Sequence, residues 1–223
     1  MPSARQLYLL NQLSIAIPPL PGTLASATST PWLGTYTSYL LDPAAPLPGT
    51  SAAVHEIKYT DASGVAFTRQ YLWGRWLTRQ LPAQTIAAGN WTIAGNLRST
   101  ALPGSASGLT LWGACLAQWR PSTQTVIARL FDSPTAGTST SPVTGIDRIA
   151  QNTIAGGAVT IAANDCLLFE LYSQLTANTT AAAAVDLGVL FGGAGQWIAA
   201  DYAQGAIGDA PFILTAPAAI TFS

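Results

Sequence analysis

The chain has 223 residues, 49% of them hydrophobic but only 9% charged, with nine Lys and Arg against ten Asp and Glu for a formal net charge of −1. Ordinary globular domains carry roughly 25% charged residues, so Ser, Thr, Asn, Gln and Gly stand here where charge is usual. Scattered basic residues and near-neutrality give no footprint for direct nucleic-acid binding, and seven Trp, seven Tyr and six Phe argue against a disordered chain.

Residues 1–50 read as an extended, Pro-rich N-terminal arm, because "IPPLPGTLASATSTPWLGTYTSYLLDPAAPLPGT" sustains neither a helix nor a central strand. A short amphipathic helix is expected over Ala4 to Leu13, with Leu7 and Leu10 on one side. Tyr8, Leu9, Trp32 and Tyr36 are the arm's candidate contacts with a neighbouring surface. The opening "MPSARQLYLLNQLSIAIPPL" is broken by Gln6, Asn11 and Gln12 and fits a secretory signal poorly. No apolar run reaches the roughly 18 to 20 residues of a membrane helix, so no membrane partner is expected.

Residues 51–223 form a series of strand-like runs separated by turn residues, an all-β pattern. "AVHEIKYT" and "VAFTRQYLWGRWLT" flank "DASG" as an expected hairpin. "NWTIAGNLRST" alternates, with Trp91, Ile93 and Leu97 on one face, and "AVDLGVLF" does likewise. Two runs differ. "LTLWGACLAQWR" places Leu109, Leu111, Cys115 and Trp119 on one face with Trp112 and Leu116 on the other. "NDCLLFELYSQL" places Leu167, Phe169, Leu171 and Leu175 against Cys166, Leu168 and Tyr172. Both faces of these strands call for a dry environment, which a neighbouring copy or the chain's own arm would supply. Trp112, Leu116, Leu168 and Tyr172 are therefore the candidate subunit interface. With eight or more strands at short spacing, the expected fold is a jelly-roll-like antiparallel β-sandwich.

Catalysis needs convergent groups of tunable protonation, and the sequence supplies few. The single histidine, His55, alternates away from its neighbour Glu56. "GSASG" at 104–108 has Ala106 where a nucleophile elbow needs Ser. Glu170 interrupts an apolar face, so it needs a buried partner, and Arg129 in "TVIARLF" is the candidate. Asp132, Asp147, Asp165, Asp201 and Asp209 sit beside residues typical of turns. Cys115 and Cys166 lack metal spacing and read as buried thiols. "GGAG" at 192–195 lacks the Lys of a phosphate loop. The sequons at Asn90 and Asn178 decide nothing without a secretory signal. Catalytic, cofactor-binding and metal sites are accordingly expected to be absent. A glycan platform would draw on Trp73, Trp76, Trp112, Trp119 and Trp197, residues that on strands more often fill a core or a subunit contact.

Across "AGNWTIAGNLRST", "LTLWGACLAQWR", "VIARLFDS" and "AANDCLLFELYSQL" the chain resembles jelly-roll proteins of tailed-bacteriophage virions. "AANDCLLFE" matches their "AGDxLxxE" run, with Asn164 where Gly is usual. The resemblance implies a non-enzymatic role on the outside of a phage particle. The implied protein is a capsid decoration or cement subunit, a homo-oligomer and commonly a trimer, that contacts the major capsid protein or other virion proteins. The alternative it leaves is a tail, neck or baseplate protein, possibly a glycan-binding adhesin. A secreted β-sandwich hydrolase is a third reading, one that needs a pocket with convergent acids.

Overall fold

The computed structural model of the chain describes residues 2–13, 38–47, 53–59, 70–101, 110–139, 145–175, 185–191 and 211–223, with side chains described for only part of these. The described residues form thirteen strands: β1 (Ser3–Leu13), β2 (Tyr39–Asp42), β3 (Ala53–Tyr59), β4 (Gln70–Leu77), β5 (Gln84–Ile86), β6 (Gly89–Ala101), β7 (Thr110–Arg120), β8 (Thr125–Ser139), β9 (Gly145–Gly156), β10 (Val159–Ile161), β11 (Cys166–Leu175), β12 (Val185–Phe191) and β13 (Ile213–Thr221). The all-β expectation holds.

Eleven strands make one sheet in the order β3-β12-β6-β13-β1-β2-β4-β11-β7-β8, with β9 also paired to β6. A separate two-stranded sheet joins β5 to β10. Strand β6 is long enough to serve several partners, taking β13 at Thr92 to Ala94 and β12 from Asn96 to Ala101. From β13 the sheet rolls round through β1, β2, β4, β11 and β7 to β8, which returns to lie beside β9. There Gly157 N–H donates to the Leu130 carbonyl at 2.7 Å. The ring of Trp91 in β6 also meets that of Phe131 in β8, with centroids 6.0 Å apart. The result is a nearly closed, barrel-like sheet. Its pairs are antiparallel except β2 with β4, which run parallel, so the expected purely antiparallel sandwich is corrected to a mixed sheet.

The inside is filled by side chains, among them Leu7, Leu9, Trp76, Trp91, Phe169 and Phe212, all fully buried. Packing is tight enough that a Cβ on Gly95 would lie 2.0 Å from the Phe212 ring. This position needs a residue without a side chain, because interiors at crystal-like density leave no room for another carbon.

The described parts of the expected arm are integral to the sheet. The helix expected over Ala4 to Leu13 is a strand, β1, lying between β13 and β2. Leu7 pairs with Leu214 and Leu9 with Leu41, and both point inward at 0% exposure. Alternation decided this segment over the Leu7/Leu10 helical spacing, because strand partners stand on both edges and a core lies beneath it. Leu9 is thus a core residue of its own chain, Tyr8 is half-buried, and Trp32 and Tyr36 lie outside the described residues. Among the described residues β3 and β4 are not paired as the expected hairpin would have them. Strand β3 pairs with β12, and β4 with β11 and β2, while "DASG" lies outside the described residues.

Strands β7 and β11 are two-sided, as their sequences imply. Leu116, Leu167, Phe169 and Leu171 enter the main core. On the opposite face Cys166 and Leu168 pack with Leu77 of β4 and Trp119 of β7, against half-buried Val126 of β8. Leu116 and Leu168 are each 0% exposed in a single chain, so neither needs a neighbouring copy to cover it. The side chains of Trp112 and Tyr172 lie outside the described residues.

Candidate functional site

Residue types capable of chemistry converge on the second face of β4, β11, β7 and β8. The registers place Arg75 opposite Glu170, Glu170 opposite Cys115, and Cys115 opposite Asp132, which makes a row across four strands. Arg75 Nε donates to Glu170 Oε1 at 2.6 Å, and the two side chains are 4% and 1% exposed. Glu170 therefore has the buried partner its sequence context demands, but the partner is Arg75 and not Arg129. Arg129 stands opposite Ala117 and pairs instead with Asp132, three residues along its own strand. Burial raises the Asp132 carboxyl, opposed by the nearby Arg129. Burial raises the Cys115 thiol strongly, with Glu170 and Asp132 adding to it. A thiol held in that state is a poor nucleophile.

A second charged group closes the start of β11. Asn164 adopts φ 71°, in the left-handed region that Gly favours and Asn tolerates. This accounts for Asn at the Gly-like position of "AANDCLLFE". The turn is stitched to the segment after β4: Asn164 N–H donates to the Leu81 carbonyl at 2.9 Å, and Leu81 N–H to that of Asp165 at 2.8 Å. Asp165 is 2% exposed and receives a two-pronged bond from Arg120, Nε to Oδ1 and Nη2 to Oδ2, both at 2.9 Å. Gln118 Nε2 adds a third donor to Oδ2 at 2.5 Å. The Arg120 hydrogen bonds hold the Asp165 carboxyl below its usual range, against the opposing effect of burial. Sequence placed Asp165 in an ordinary turn. Its role as a clamp was not visible there, since Arg120 and Gln118 reach it only across the β7–β11 register.

Cys115 and Cys166 are both free and buried. Although β7 and β11 are neighbours, Cys115 stands opposite Glu170 and Cys166 opposite Trp119, so the register separates the two thiols. Burial and the adjacent Asp165 push the Cys166 thiol up to about 12. Of the proposed glycan platform, Trp76 and Trp119 are core residues at 0% and 2% exposure. The side chains of Trp73, Trp112 and Trp197, like those of His55 and Glu56, lie outside the described residues, as does "GGAG".

A cleft lies at the side of the sheet where Ser3 pairs with Thr221. It has a volume of about 250 Å³ and is walled by Pro2, Leu41, Pro43 and Phe222, with Asp42, Arg79 and Gln80 as its polar edge. Asp42 Oδ1 accepts the Ala44 N–H at 2.8 Å, and Oδ2 lies 3.4 Å from Arg79 Nε. The Arg79 side chain is 71% exposed and that of Asp42 only 11%. Nothing in the sequence marked these residues, because Asp42 and Arg79 meet only through the parallel β2–β4 pairing.

The fold is thus that of an all-β protein made of one rolled, nearly closed mixed sheet. No protein-family model matches the chain, and no curated protein is similar to it. Among solved structures it is similar to an alpha-amino acid ester hydrolase, at 12% identity over 96% of this chain and 36% of that one, with a TM-score of 0.45. A CocE/NonD family hydrolase from Staphylococcus aureus matches at 8% identity over 96% of this chain and 34% of that one, with a TM-score of 0.25. The VP2 subviral particle of infectious bursal disease virus follows at 12% identity, 83% and 44% coverage and a TM-score of 0.23. The chain spans about a third of the length of the two hydrolases. The phage-virion resemblance, and with it the expectation of a non-enzymatic decoration, cement, tail or adhesin protein, is corrected by these findings, which include two hydrolases. Likeness at this level carries no activity over to the chain.

Proposed function

We propose that this chain is a self-associating module with a jelly-roll-like arrangement of strands, whose biological contact is with copies of itself. The observation that carries the reading is where its charge goes. The sequence has only nine basic and ten acidic residues, and Asp42, Arg75, Asp165 and Glu170 are buried in the single chain. The surface is left poorer in charge than the composition already suggested. A surface with few charges and almost no net charge lacks the repulsion that keeps a free protein apart from its copies. Of the four interface candidates this reading keeps Trp112 and Tyr172, since Leu116 and Leu168 are covered by their own chain. A standard contact removes roughly 800 Å² per partner from water.

Light scattering coupled to size exclusion tests the reading. The expected result is a discrete oligomer at micromolar concentration whose mass is the same in low and high salt, because screening acts on charge that this surface lacks. A monomer at every concentration, or an oligomer that salt dissociates, overturns it.

A further inference from the structure

We infer that the outer face of β9, β6, β13 and β1 is a contact surface for a second copy of this chain. The inference rests on the self-association proposed above and gives it a surface besides Trp112 and Tyr172. The registers set Thr153 opposite Thr92, Thr92 opposite Thr215, and Thr215 opposite Gln6, one row across four strands. The next row on the same face runs from Ala94 through Ile213 to Tyr8. Alternation fixes which way these side chains point, because their neighbours Trp91, Ile93, Leu214 and Leu7 are fully buried in the core. Thr153 and Gln6 are exposed, and the other five are half-buried. Tyr8 Oη donates to Gln6 Oε1 at 3.2 Å, which holds both side chains over the face.

The open face of an antiparallel sheet is ordinarily polar, and roughly 25–35% of a free surface is Lys, Arg, Glu or Asp. Among the described residues no charged side chain stands within these two rows. Charge begins at the margins, where Arg5 Nε donates to the Ala216 carbonyl at 3.1 Å and Asp42, opposite Tyr8, is paired with Arg79. A centre without charge that holds an aromatic ring, inside a polar rim, is the composition of a protein contact. The chemistry of the row selects the occupant. Hydroxyls and amides both donate and accept, so the row is complementary to itself in a two-fold contact, where one patch meets the same patch. A strongly charged partner would find nothing in it to pair with. Four strands at about 4.8 Å spacing over about six residues each give a face of roughly 400 Å² in plan. That is about half of a standard contact before side-chain relief and the rim are counted.

The test dilutes the full chain and follows its mass by light scattering. Thr92→Lys and Gln6→Lys are each expected to raise the dissociation constant about tenfold or more, since a charge pressed into a neutral contact has no partner. Thr160→Lys, exposed on β10 in the separate sheet, is expected to leave it unchanged. Gln6 is exposed in the single chain, so its Lys variant keeps the fold, which an unchanged melting temperature checks. Hydroxyl-radical labelling of the parent needs no variant: the Tyr8 signal is expected to fall as concentration rises through the dissociation constant. Both Lys variants associating like the parent, or constant Tyr8 labelling across the transition, would overturn the inference and leave self-association standing. A parent that stays monomeric at every concentration overturns both.

Discussion

Replacing Glu170 by Gln keeps its shape and removes its charge, leaving the Arg75 guanidinium inside the fold without its carboxylate. The two side chains are 4% and 1% exposed and meet at 2.6 Å, so water cannot replace the lost partner. Breaking a buried pair on one side costs about 3–5 kcal/mol, mostly the penalty of the stranded charge. A chain of this size exposes enough surface on unfolding for a urea m-value near the top of the roughly 1–3 kcal/mol/M range. The midpoint should therefore fall by about 1–2 M. The double variant Arg75→Met, Glu170→Leu removes both charges at similar volume, and it should recover most of the loss, since apolar replacements of buried pairs are often neutral or stabilising. Urea titrations followed by Trp fluorescence on the three proteins give both shifts directly. If Glu170→Gln lies within about 1 kcal/mol of the parent, the pair is solvated in solution and the argument for a sequestered charge fails.

Further outcomes follow from the same geometry. Arg120 lowers the folded-state value of the Asp165 carboxyl, so its stabilisation is present above the unfolded carboxylate value near 3.9 and is lost as pH falls through the folded one. Stability curves should drop below about pH 4, and Asp165→Asn should start lower and flatten that drop. A parallel pH profile in the variant would refute the assignment. Cys115 and Cys166 should both resist a disulfide-exchange reagent at pH 8 in the folded protein and react together on unfolding, because burial suppresses both thiolates. A rapid native phase would contradict this. Gly95→Ala should destabilise by about 1–3 kcal/mol through overpacking against Phe212, seen as a melting temperature lower by several degrees. An unchanged melting temperature would mean the Phe212 ring has room to yield.

How far the sequence could be read follows the reach of each interaction. The two-sided character of β7 and β11 was plain, because it depends only on alternation within ten or so residues. That Glu170 must find a buried partner was also legible, as a carboxylate within an apolar run. Which Arg would answer was not. Arg129 lies in a neighbouring apolar run, while Arg75 arrives through the β4–β11 pairing, ninety-five residues away. Strand β1 was missed for a similar reason: its Leu7 and Leu9 alternate, but the Pro-rich stretch behind them lent the whole segment the look of an arm. Propensity over a short window yields to partners supplied from Leu41 and Leu214. Arg79 and Asp42 gave no signal at all, being ordinary residues until the parallel β2–β4 pairing sets them side by side.

The seating of β1 between β2 and β13 governs when this molecule can become itself. On the ribosome Leu7 must wait for its partner Leu214, which is made about two hundred residues later. The middle of the sheet thus closes through a pairing very distant in sequence. Such distant pairing makes for slow folding, and a nascent chain halted before Ile213 would keep an open flank of greasy strand for chaperones to guard.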